Sequence, residues 1–328
     1  MPTFAPVFHG IRFKVRKLFV AMTSNFFCTY SIPTKIYTYL CLMATLKEIS
    51  DNIISALSPK YGQREAQWIL RIIFEQLKNY STVDLIIRKD EPISDFISTK
   101  INAILERLLN NEPIQYIFSS ARFCGHTLKV TPATLIPRPE TEELVDLIIK
   151  NHPQPDLRIL DVGTGSGCIA CALARGLKFP IIDAIDLSEK ALDVARENAS
   201  NLKVKINFAT QDALSLPDES SPIYDIIVSN PPYIADKEQS TMLPNVLKYE
   251  PWTALFVPDN DPLKFYRAIA IYGSTALKPG GYLYFEINPM FSMEMRDLML
   301  SLNYDDINII PDMQGNNRIL SAIKPTTR

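Results

Sequence analysis

The chain has 328 residues, of which 47% are hydrophobic, and a formal net charge of −2 at pH 7. This length predicts two folded domains with a short extension, and the balanced charge argues against a protein that grips nucleic acid through its phosphates. Five scattered cysteines exclude a dense disulfide scaffold and indicate a reducing compartment.

Residues 1–42 differ in composition from the rest of the chain. No acidic residue precedes Glu48, although average composition would place about five acids in a segment of that length. Apolar residues share one helical face and basic residues lie beside them: Phe8, Ile11, Val15, Leu18, Phe19 and Met22, with Arg12, Lys14, Arg16 and Lys17. This pattern is typical of a mitochondrial presequence and predicts a location in the mitochondrial matrix. The alternatives are a disordered tail, or translation that starts at Met22 or Met43, the latter giving a cytoplasmic form.

Residues 43–117 carry apolar stripes at helical spacing. The stripes predict several amphipathic helices, separated near Pro59 and Pro92, that pack as a small bundle. Their members are Leu46, Ile49, Ile53, Leu57, Ala66, Ile69, Leu70, Ile73, Phe74, Leu77, Ile97, Ile101, Ile104, Leu105 and Leu108. Such stripes usually form a core, so a docking role for this domain depends on its attachment to a catalytic domain.

Residues 118–136 predict a β-hairpin that links two domains. Apolar residues alternate there, and turn residues interrupt them: Phe123, Leu128 and Val130, with turns at Gly125 and Pro132. The catalytic domain is predicted over residues 137–328. Its first helix begins at Pro139, because proline suits the first helical turn and carboxylates follow it at Glu140 and Glu142.

From Leu157 onward, strand-like and helix-like segments alternate. Strands are predicted at 158–162, 181–186, 205–209, 225–229, 282–287, 306–310 and 318–323, with helices from 168 and at 189–200, 263–277 and 293–302. The alternation predicts an α/β fold with a doubly wound, largely parallel sheet. The order of the last elements predicts an antiparallel hairpin at its end.

A glycine-rich turn, Gly163-Thr164-Gly165-Ser166-Gly167, directly follows the first strand of this sheet. Three of the eleven glycines of the chain fall within these five positions. Backbone can approach a bound ligand closely at such a turn. The glycine spacing is tighter than in dinucleotide-binding turns, and the lysine of a phosphate loop is missing, so the turn favours a cofactor without phosphates.

Three aspartates lie near the predicted cofactor site. Asp186 ends the second strand, 25 residues after Asp161, and we expect its carboxylate to accept hydrogen bonds from both ribose hydroxyls of an adenosine group. Asp212 follows the third strand and is expected to accept a hydrogen bond from the adenine amine. Asp161 has two interpretations: it faces an ammonium group of the cofactor through water, or it braces the turn.

Cys168 and Cys171 form a C-x-x-C spacing at the start of the following helix. No second cysteine pair or histidine cluster accompanies them, and small side chains suit close packing of a helix on a sheet. We therefore expect both cysteines to pack in the core. No metal site is expected, since the three histidines are scattered at His9, His126 and His152.

The predicted strand 225–229 ends at Asn230-Pro231-Pro232-Tyr233. Ligands bind at this edge of an open α/β sheet. The side-chain oxygen of Asn230 and the carbonyl of Pro231 are predicted to accept both hydrogens of an NH₂ group, while Tyr233 packs against the planar group that carries it. Such a site orients the nitrogen lone pair without a strong base, so positioning should supply most of the rate.

With these motifs the chain resembles the release factor glutamine N(5)-methyltransferases, including their mitochondrial members. The resemblance extends from about Met43 to the C-terminus. Besides the glycine turn and residues 230–233, it rests on Glu112-Pro113-Ile114-Gln115-Tyr116-Ile117, Leu135-Ile136-Pro137-Arg138-Pro139-Glu140-Thr141-Glu142, Glu250-Pro251-Trp252-Thr253-Ala254-Leu255 and Gly315-Asn316-Asn317-Arg318.

The resemblance implies a seven-stranded class I methyltransferase sheet that binds S-adenosylmethionine, and a helical N-terminal domain that docks a peptide chain release factor. It implies methyl transfer to the glutamine of the factor's Gly-Gly-Gln loop. Residues 163–167 would then bind the methionine part of the cofactor, Asp186 the ribose and Asn230 both cofactor and substrate. Together with the extension 1–42, it makes a mitochondrial release factor the expected substrate.

Three neighbouring positions extend these implications. Ala213 would lie beside the adenine, where some relatives carry a large aromatic residue, so Leu214 is an alternative apolar contact. Arg138 and Glu250 either brace the loops of the active site or touch the substrate, and we expect bracing.

Two other functions compete with this one. An adenine amino-methyltransferase uses a similar tetrapeptide to hold a flipped-out base, but it should have a basic groove, whereas acids dilute the basic residues after Glu48. A non-catalytic relative that only binds a translation factor would not need an intact glycine turn and residues 230–233. We expect no direct nucleic-acid binding and no membrane insertion, since the apolar run 39–43 is too short to span a bilayer.

Overall fold

A computed structural model describes residues 44–217 and 221–326 of the chain. The predicted presequence, residues 1–42, lies outside the described residues and stays a prediction. None of the helices in the described ranges is long and apolar enough to cross a membrane.

The N-terminal part of the described chain is helical. Its helices are α1 (Leu46–Lys78), α2 (Thr82–Ile87), α3 (Asp95–Leu109) and the short α4 (Ile114–Ile117). Thr45 and Glu48 begin α1 with a reciprocal capping box. The predicted stripes form one core, in which Leu46, Ile53, Phe74 and Ile101 are among the buried side chains.

The predicted separation of helices near Pro59 is present, but it lies a few residues later in the chain. The chain stays helical through Pro59, and the break lies at Gly62, whose φ of 78° and ψ of 162° are not helical. Proline keeps a helical φ although it lacks an N–H donor, whereas glycine adopts a positive φ without a steric penalty. The α1 segment is therefore two helical pieces joined at a glycine kink.

A hairpin follows, as predicted, with β1 (Ser120–Phe123) paired antiparallel to β2 (His126–Lys129). Phe123 and Leu128 are buried in a core shared with α5 (Pro139–Asn151), the first helix of the catalytic part. Asn198 fixes the hairpin from the other side, because its side chain accepts from the Lys129 N–H and donates to the Lys129 carbonyl.

The catalytic part is built on a seven-stranded sheet in the order β10-β11-β9-β6-β3-β4-β5. Its strands are β3 (Arg158–Val162), β4 (Ile181–Asp186), β5 (Asn207–Thr210), β6 (Tyr224–Ser229), β9 (Leu277–Glu286), β10 (Asp305–Pro311) and β11 (Asn317–Ile323). The pairs β11–β9 and β10–β11 are antiparallel, and the remaining neighbours are parallel. The predicted fold and its terminal hairpin are confirmed.

Helices cover both faces of this sheet, as burial of the parallel strands requires. They are α6 (Cys168–Gly176), α7 (Glu189–Asn201), α9 (Lys264–Ala276) and α10 (Ser292–Ser301), together with α5. Strand β9 begins at Leu277, five residues before the predicted start at 282. The prediction started too late because Pro279-Gly280, a pair typical of turns, lies inside the strand. Strand β5 begins at Asn207, two residues later than predicted.

A long segment between β6 and α9 was not predicted as an ordered unit. It contains β7 (Ile234–Ala235), a 3₁₀ turn (Asp236–Thr241), α8 (Pro244–Tyr249), a second 3₁₀ turn (Trp252–Ala254) and β8 (Phe256–Val257), which pairs with β7. Lys248 and Tyr249 of α8 both donate hydrogen bonds to the Asn110 carbonyl, at distances of 3.4 and 3.0 Å. The segment therefore joins the catalytic part to the helical N-terminal part.

Candidate active site

A cavity of about 640 Å³ opens at the carboxyl ends of β3, β4 and β6. Ligands bind at this edge in doubly wound sheets because the strand order reverses there. The cavity is lined by residues of the glycine turn, of the ends of β4 and β6, of the loop before α5 and of the segment after β6. The cavity therefore gathers the predicted cofactor and substrate motifs into one site.

The residues of the glycine turn have two different roles. Gly163, Thr164, Gly165 and Ser166 line the cavity, and a Cβ atom built at Gly163 or Gly165 would meet nothing within 4 Å. Gly167 does not line the cavity: it begins α6 with a φ of 76°, and a Cβ atom there would lie 3.0 Å from Ala195 Cβ. Gly167 therefore keeps α6 close to α7, while the preceding four residues face a ligand.

Asp186 lies at the end of β4 and holds the glycine turn. One carboxylate oxygen accepts a hydrogen bond from the Gly165 N–H and the other from the Ser188 N–H, each at 2.8 Å. Burial raises the pKa of Asp186, although these backbone donors oppose the shift. A carboxylate has about four acceptor positions, so both oxygens retain capacity for two ribose hydroxyls.

The predicted adenine end of the cavity is lined by Asp212 and Ala213. Leu214 is not among the residues that line the cavity, and 45% of it is exposed. The structure therefore provides no Leu214 contact to replace the aromatic residue of some relatives. Leu187, Phe265 and Ile269 are apolar lining residues that the sequence analysis missed.

Asp161 is fully buried beneath the turn. Its Oδ2 accepts hydrogen bonds from Thr164 Oγ1 at 2.6 Å and from the Ala170 N–H at 3.2 Å, so it braces the turn against α6. Within the described chain its Oδ1 has no hydrogen-bond partner. Of the two interpretations, the contacts present are those of bracing. Burial raises the pKa of Asp161 to about 7.

The raised pKa of Asp161 predicts a pH-dependent stability. The stability that protonated Asp161 contributes is fully present below the ordinary pKa of 3.8 and is lost as pH rises through about 7. This loss lowers the free energy of unfolding by about 4 kcal/mol. We expect Asp161→Asn to remove this dependence. Urea unfolding of wild type and variant between pH 4 and 8 measures it, and parallel stability curves would contradict the expectation.

The two cysteines of the C-x-x-C spacing lie in α6 beside the turn. Cys171 is fully buried, and burial raises the pKa of its thiol to about 12. In the described ranges, no group of three histidine, cysteine, aspartate or glutamate side chains is arranged to hold a metal ion. The position of Cys171 fits the expected core packing. For Cys168 the expectation is wrong in part, because this residue is only partly buried and lines the main cavity.

The residues after β6 lie between two cavities. Asn230, Pro231 and Pro232 line the main cavity, whereas Tyr233 lines an adjoining cavity of about 110 Å³, the side cavity. Asn230 lines both. The predicted packing of Tyr233 against a planar group stays a prediction, and Tyr233 and Asn230 both line the side cavity.

Glu250 braces the wall that the two cavities share. Its side chain has no exposed surface, and its oxygens accept from Arg138 at 2.5 Å and from the Ile136 N–H at 3.2 Å. Residues 135–138 and α8 are thereby held together across 112 residues of sequence. Arg138 also lines both cavities. The expected bracing role agrees with these contacts.

Sequence analysis missed a polar cluster behind Asn230. Asn230 Nδ2 donates to Thr141 Oγ1 at 3.3 Å, and Thr141 Oγ1 donates to Glu286 Oε2 at 2.6 Å. Tyr233 donates its hydroxyl to Glu286 Oε1 at 3.0 Å. Glu286 ends β9 at the same edge of the sheet, and that position was the only available signal in the sequence.

Comparison with known proteins gives two family matches and several close relatives. The family described as Methyltransferase small domain matches residues 140–249, and that described as PrmC N-terminal domain matches residues 51–118. A release factor glutamine methyltransferase of Bacteroides thetaiotaomicron is 44% identical over 84% of this chain and 99% of its own length. Proteins of the same name from Flavobacterium psychrophilum and Streptococcus pneumoniae are each 39% identical, over 84% and 79% of this chain and 98% and 92% of their own.

The sheet order, the cavity at its carboxyl edge and the methyltransferase match define a class I S-adenosylmethionine-dependent methyltransferase. The named relatives match most of this chain at 39–44% identity, which narrows the class to one family. The chain belongs to the release factor glutamine methyltransferase family.

The cavity fits S-adenosylmethionine, the cofactor of this class. Open space in front of Gly163 and Gly165 leaves room for the methionine part, and Asp186 presents carboxylate oxygens where ribose hydroxyls would lie. Ala213, with Phe265 and Ile269 of α9, supplies apolar lining for an adenine. The chemistry of the lining residues therefore matches each part of the cofactor.

Replacement of Asp186 with alanine should weaken binding of S-adenosylmethionine by about 1–3 kcal/mol, or roughly 5- to 150-fold. The change removes the ribose acceptor and also the anchor of the Gly165 N–H. Isothermal titration calorimetry measures the dissociation constant. Asp193→Ala, which truncates an aspartate 70% exposed on α7, is the matched control. An unaltered constant for Asp186→Ala would count against the assignment.

Proposed function

We propose that this chain transfers the methyl group of S-adenosylmethionine to the side-chain amide nitrogen of the glutamine in the Gly-Gly-Gln loop of a mitochondrial peptide chain release factor. Its relatives carry the name of this reaction. The observation that carries the proposal is the position of Asn230, which lines both the cavity that fits the cofactor and the side cavity. A glutamine side chain and the cofactor would meet at this residue.

The acceptors at the end of β6 suit a primary amide. Its NH₂ group has two donors, and Asn230 Oδ1 and the Pro231 carbonyl supply two acceptors. Neither Pro231 nor Pro232 has a backbone N–H, so no backbone donor of these residues competes for the acceptors. When bound, S-adenosylmethionine supplies an electrophilic methyl group on a sulfonium.

Positioning accounts for the rate in this arrangement. The two acceptors hold the amide so that its nitrogen faces the main cavity, which replaces a random encounter by a fixed approach. Positive charge develops on the nitrogen during transfer, and hydrogen bonds from its N–H groups to the two oxygens strengthen as it does. Tyr233 lines the side cavity, and its ring would pack against the planar amide there.

The helical part of the chain supplies a second contact for a protein substrate. We assign residues 43–117 to release-factor docking, 118–136 to the linking hairpin and 137–328 to the methyltransferase domain. Supporting this assignment, exposed apolar side chains lie together in sequence around α2 and the start of α3: Val83, Ile86, Ile87 and Phe96, which are 62–70% exposed. An apolar patch of this kind marks a contact surface.

The test combines the chain with labelled S-adenosylmethionine and a mitochondrial release factor, and locates the label by mass spectrometry. We expect label on the glutamine of the Gly-Gly-Gln loop and none on a factor in which alanine replaces that glutamine. A short peptide with the same loop should react far more slowly, because it lacks the docking contacts. Label on adenine-containing nucleic acid instead would replace this proposal with base methylation.

The compartment has its own test. The acid-free segment 1–42 with its basic helical face supports import into mitochondria. Fusion of residues 1–42 to a fluorescent protein should direct the fluorescence to mitochondria. Fluorescence throughout the cytoplasm would contradict the proposal and favour translation from Met43, with a cytoplasmic release factor as the substrate.

A further inference from the structure

The side chains behind Asn230 form one buried chain of hydrogen bonds. Thr141 and Glu286 are 2% and 1% exposed, and they connect the side-chain amide of Asn230 to the end of β9. Tyr233 joins the same carboxylate from the other side. The hydroxyl of Tyr266, also buried, donates to the Glu286 carbonyl at 2.9 Å and fixes the end of the strand.

The direction of donation in this chain follows from Glu286. A carboxylate has acceptors only, so the hydroxyls of Thr141 and Tyr233 must both donate to it. The single hydrogen of the Thr141 hydroxyl is then used, and its oxygen has only acceptor capacity left. Its partner on Asn230 must therefore be the NH₂ group and not the oxygen.

The direction rests on these contacts, since the groups around Glu286 act on its charge in opposite senses. Burial raises the pKa of the carboxyl, and the neighbouring Glu140 acts in the same sense. The hydroxyl donors and the positive charge of Arg318 oppose the shift and stabilise the carboxylate. Arg318 is itself held by Asp312 at 3.2 Å, so its charge stays in place beside the cluster.

We propose that Thr141 and Glu286 are positioning residues, which fix the side-chain amide of Asn230 with its NH₂ group turned away and its oxygen turned toward the substrate. This inference rests on the proposed function, in which that oxygen accepts from a glutamine NH₂. In the opposite orientation, Asn230 would turn the two donors of its NH₂ group toward the two donors of the glutamine NH₂ group. The cluster therefore selects the one of two nearly isosteric states that binds an amide nitrogen.

The first test separates positioning from packing by steady-state kinetics. Thr141→Val keeps the volume of the side chain but has no hydroxyl, so we expect kcat to fall by about tenfold or more with little change in KM for S-adenosylmethionine. Thr141→Ser should restore most of the turnover. Thr275→Val, the same substitution at an exposed threonine of α9, is the control and should leave turnover unchanged.

Glu286→Gln tests the polarity itself. Glutamine can donate to Thr141, which would free the threonine hydrogen for the Asn230 oxygen and admit the opposite orientation. We expect kcat to fall although Thr141 is present. Turnover within twofold of wild type in both Thr141→Val and Glu286→Gln would overturn the proposal. Equal losses in Thr141→Val and Thr141→Ser would also overturn it.

A second measurement does not depend on activity. In chain labelled with ¹⁵N at asparagine, the side-chain NH₂ signal of Asn230 is identified by its absence in Asn230→Ala. Its hydrogens should exchange slowly in wild type and quickly in Thr141→Val, and equal exchange would overturn the inference. A wild-type chain that protects these hydrogens but methylates no release factor would refute the proposed function and leave the positioning intact.

Discussion

Replacement of Asn230 with alanine should lower turnover by about 100- to 1000-fold and leave the affinity for S-adenosylmethionine nearly unchanged. The substitution removes an acceptor whose hydrogen bond strengthens as charge develops on the substrate nitrogen, so the loss falls on the transition state. The glycine turn and Asp186, which provide most of the predicted cofactor contacts, keep their hydrogen bonds.

Single-turnover kinetics with the release factor, together with calorimetric titration of the cofactor, measure the two effects separately. Asn308→Ala is the matched control, because Asn308 is an asparagine of β10 whose side chain donates to nearby Asp306 and lies outside both cavities. Comparable turnover in Asn230→Ala and wild type would refute the assignment of the amide-binding site.

Replacement of Arg138 with methionine should lower the free energy of unfolding by about 3 kcal/mol, since removal of one partner leaves a buried charge uncompensated. Glu250 has no exposed side-chain surface, and its second contact, the Ile136 N–H, is a single neutral donor. Part of the loss should be recovered when Glu250→Gln is added, because glutamine can be buried without a charge.

Urea unfolding of the single and double variants measures these differences. Arg196→Met is the control: Arg196 pairs with Glu189 at 2.7 Å, but the two side chains are 40% and 57% exposed. An exposed pair of this kind contributes little to stability, because solvent screens the two charges and ordering the side chains costs entropy. An equal, small effect at both arginines would show that the bridge to Glu250 does not stabilise the cavity wall.

The sheet could be predicted from the sequence because its strands are short apolar runs separated by helical periodicity. The glycine turn directly follows strand β3, so the local sequence pattern alone was enough to predict the cofactor site. The two-residue strands β7 and β8 are too short to carry any periodic signal. They pair only because the chain returns after about twenty residues, which no local pattern shows.

In the active site too, the parts that could be predicted are local in sequence, and the parts that were missed are not. Residues 230–233 are adjacent in sequence, so their common role was visible. The contact between Thr141 and Glu286 joins positions 145 residues apart and depends on the packing of α5 against β9. The requirement for glycine at Gly167 comes from its close approach to Ala195 in another helix, α7. Such contacts follow from tertiary packing and not from any local sequence signal.

The hydrogen bonds of Lys248 and Tyr249 to the Asn110 carbonyl bear on selectivity among the proteins of a cell. They set the separation between the helical surface and Asn230, because Glu250 follows Tyr249 directly and is bonded to the cavity wall. Under the proposed docking role of residues 43–117, a protein that carries Gly-Gly-Gln by chance reaches only one end of that separation. The proposed substrate is then recognised by its overall dimensions as well as by the three-residue loop.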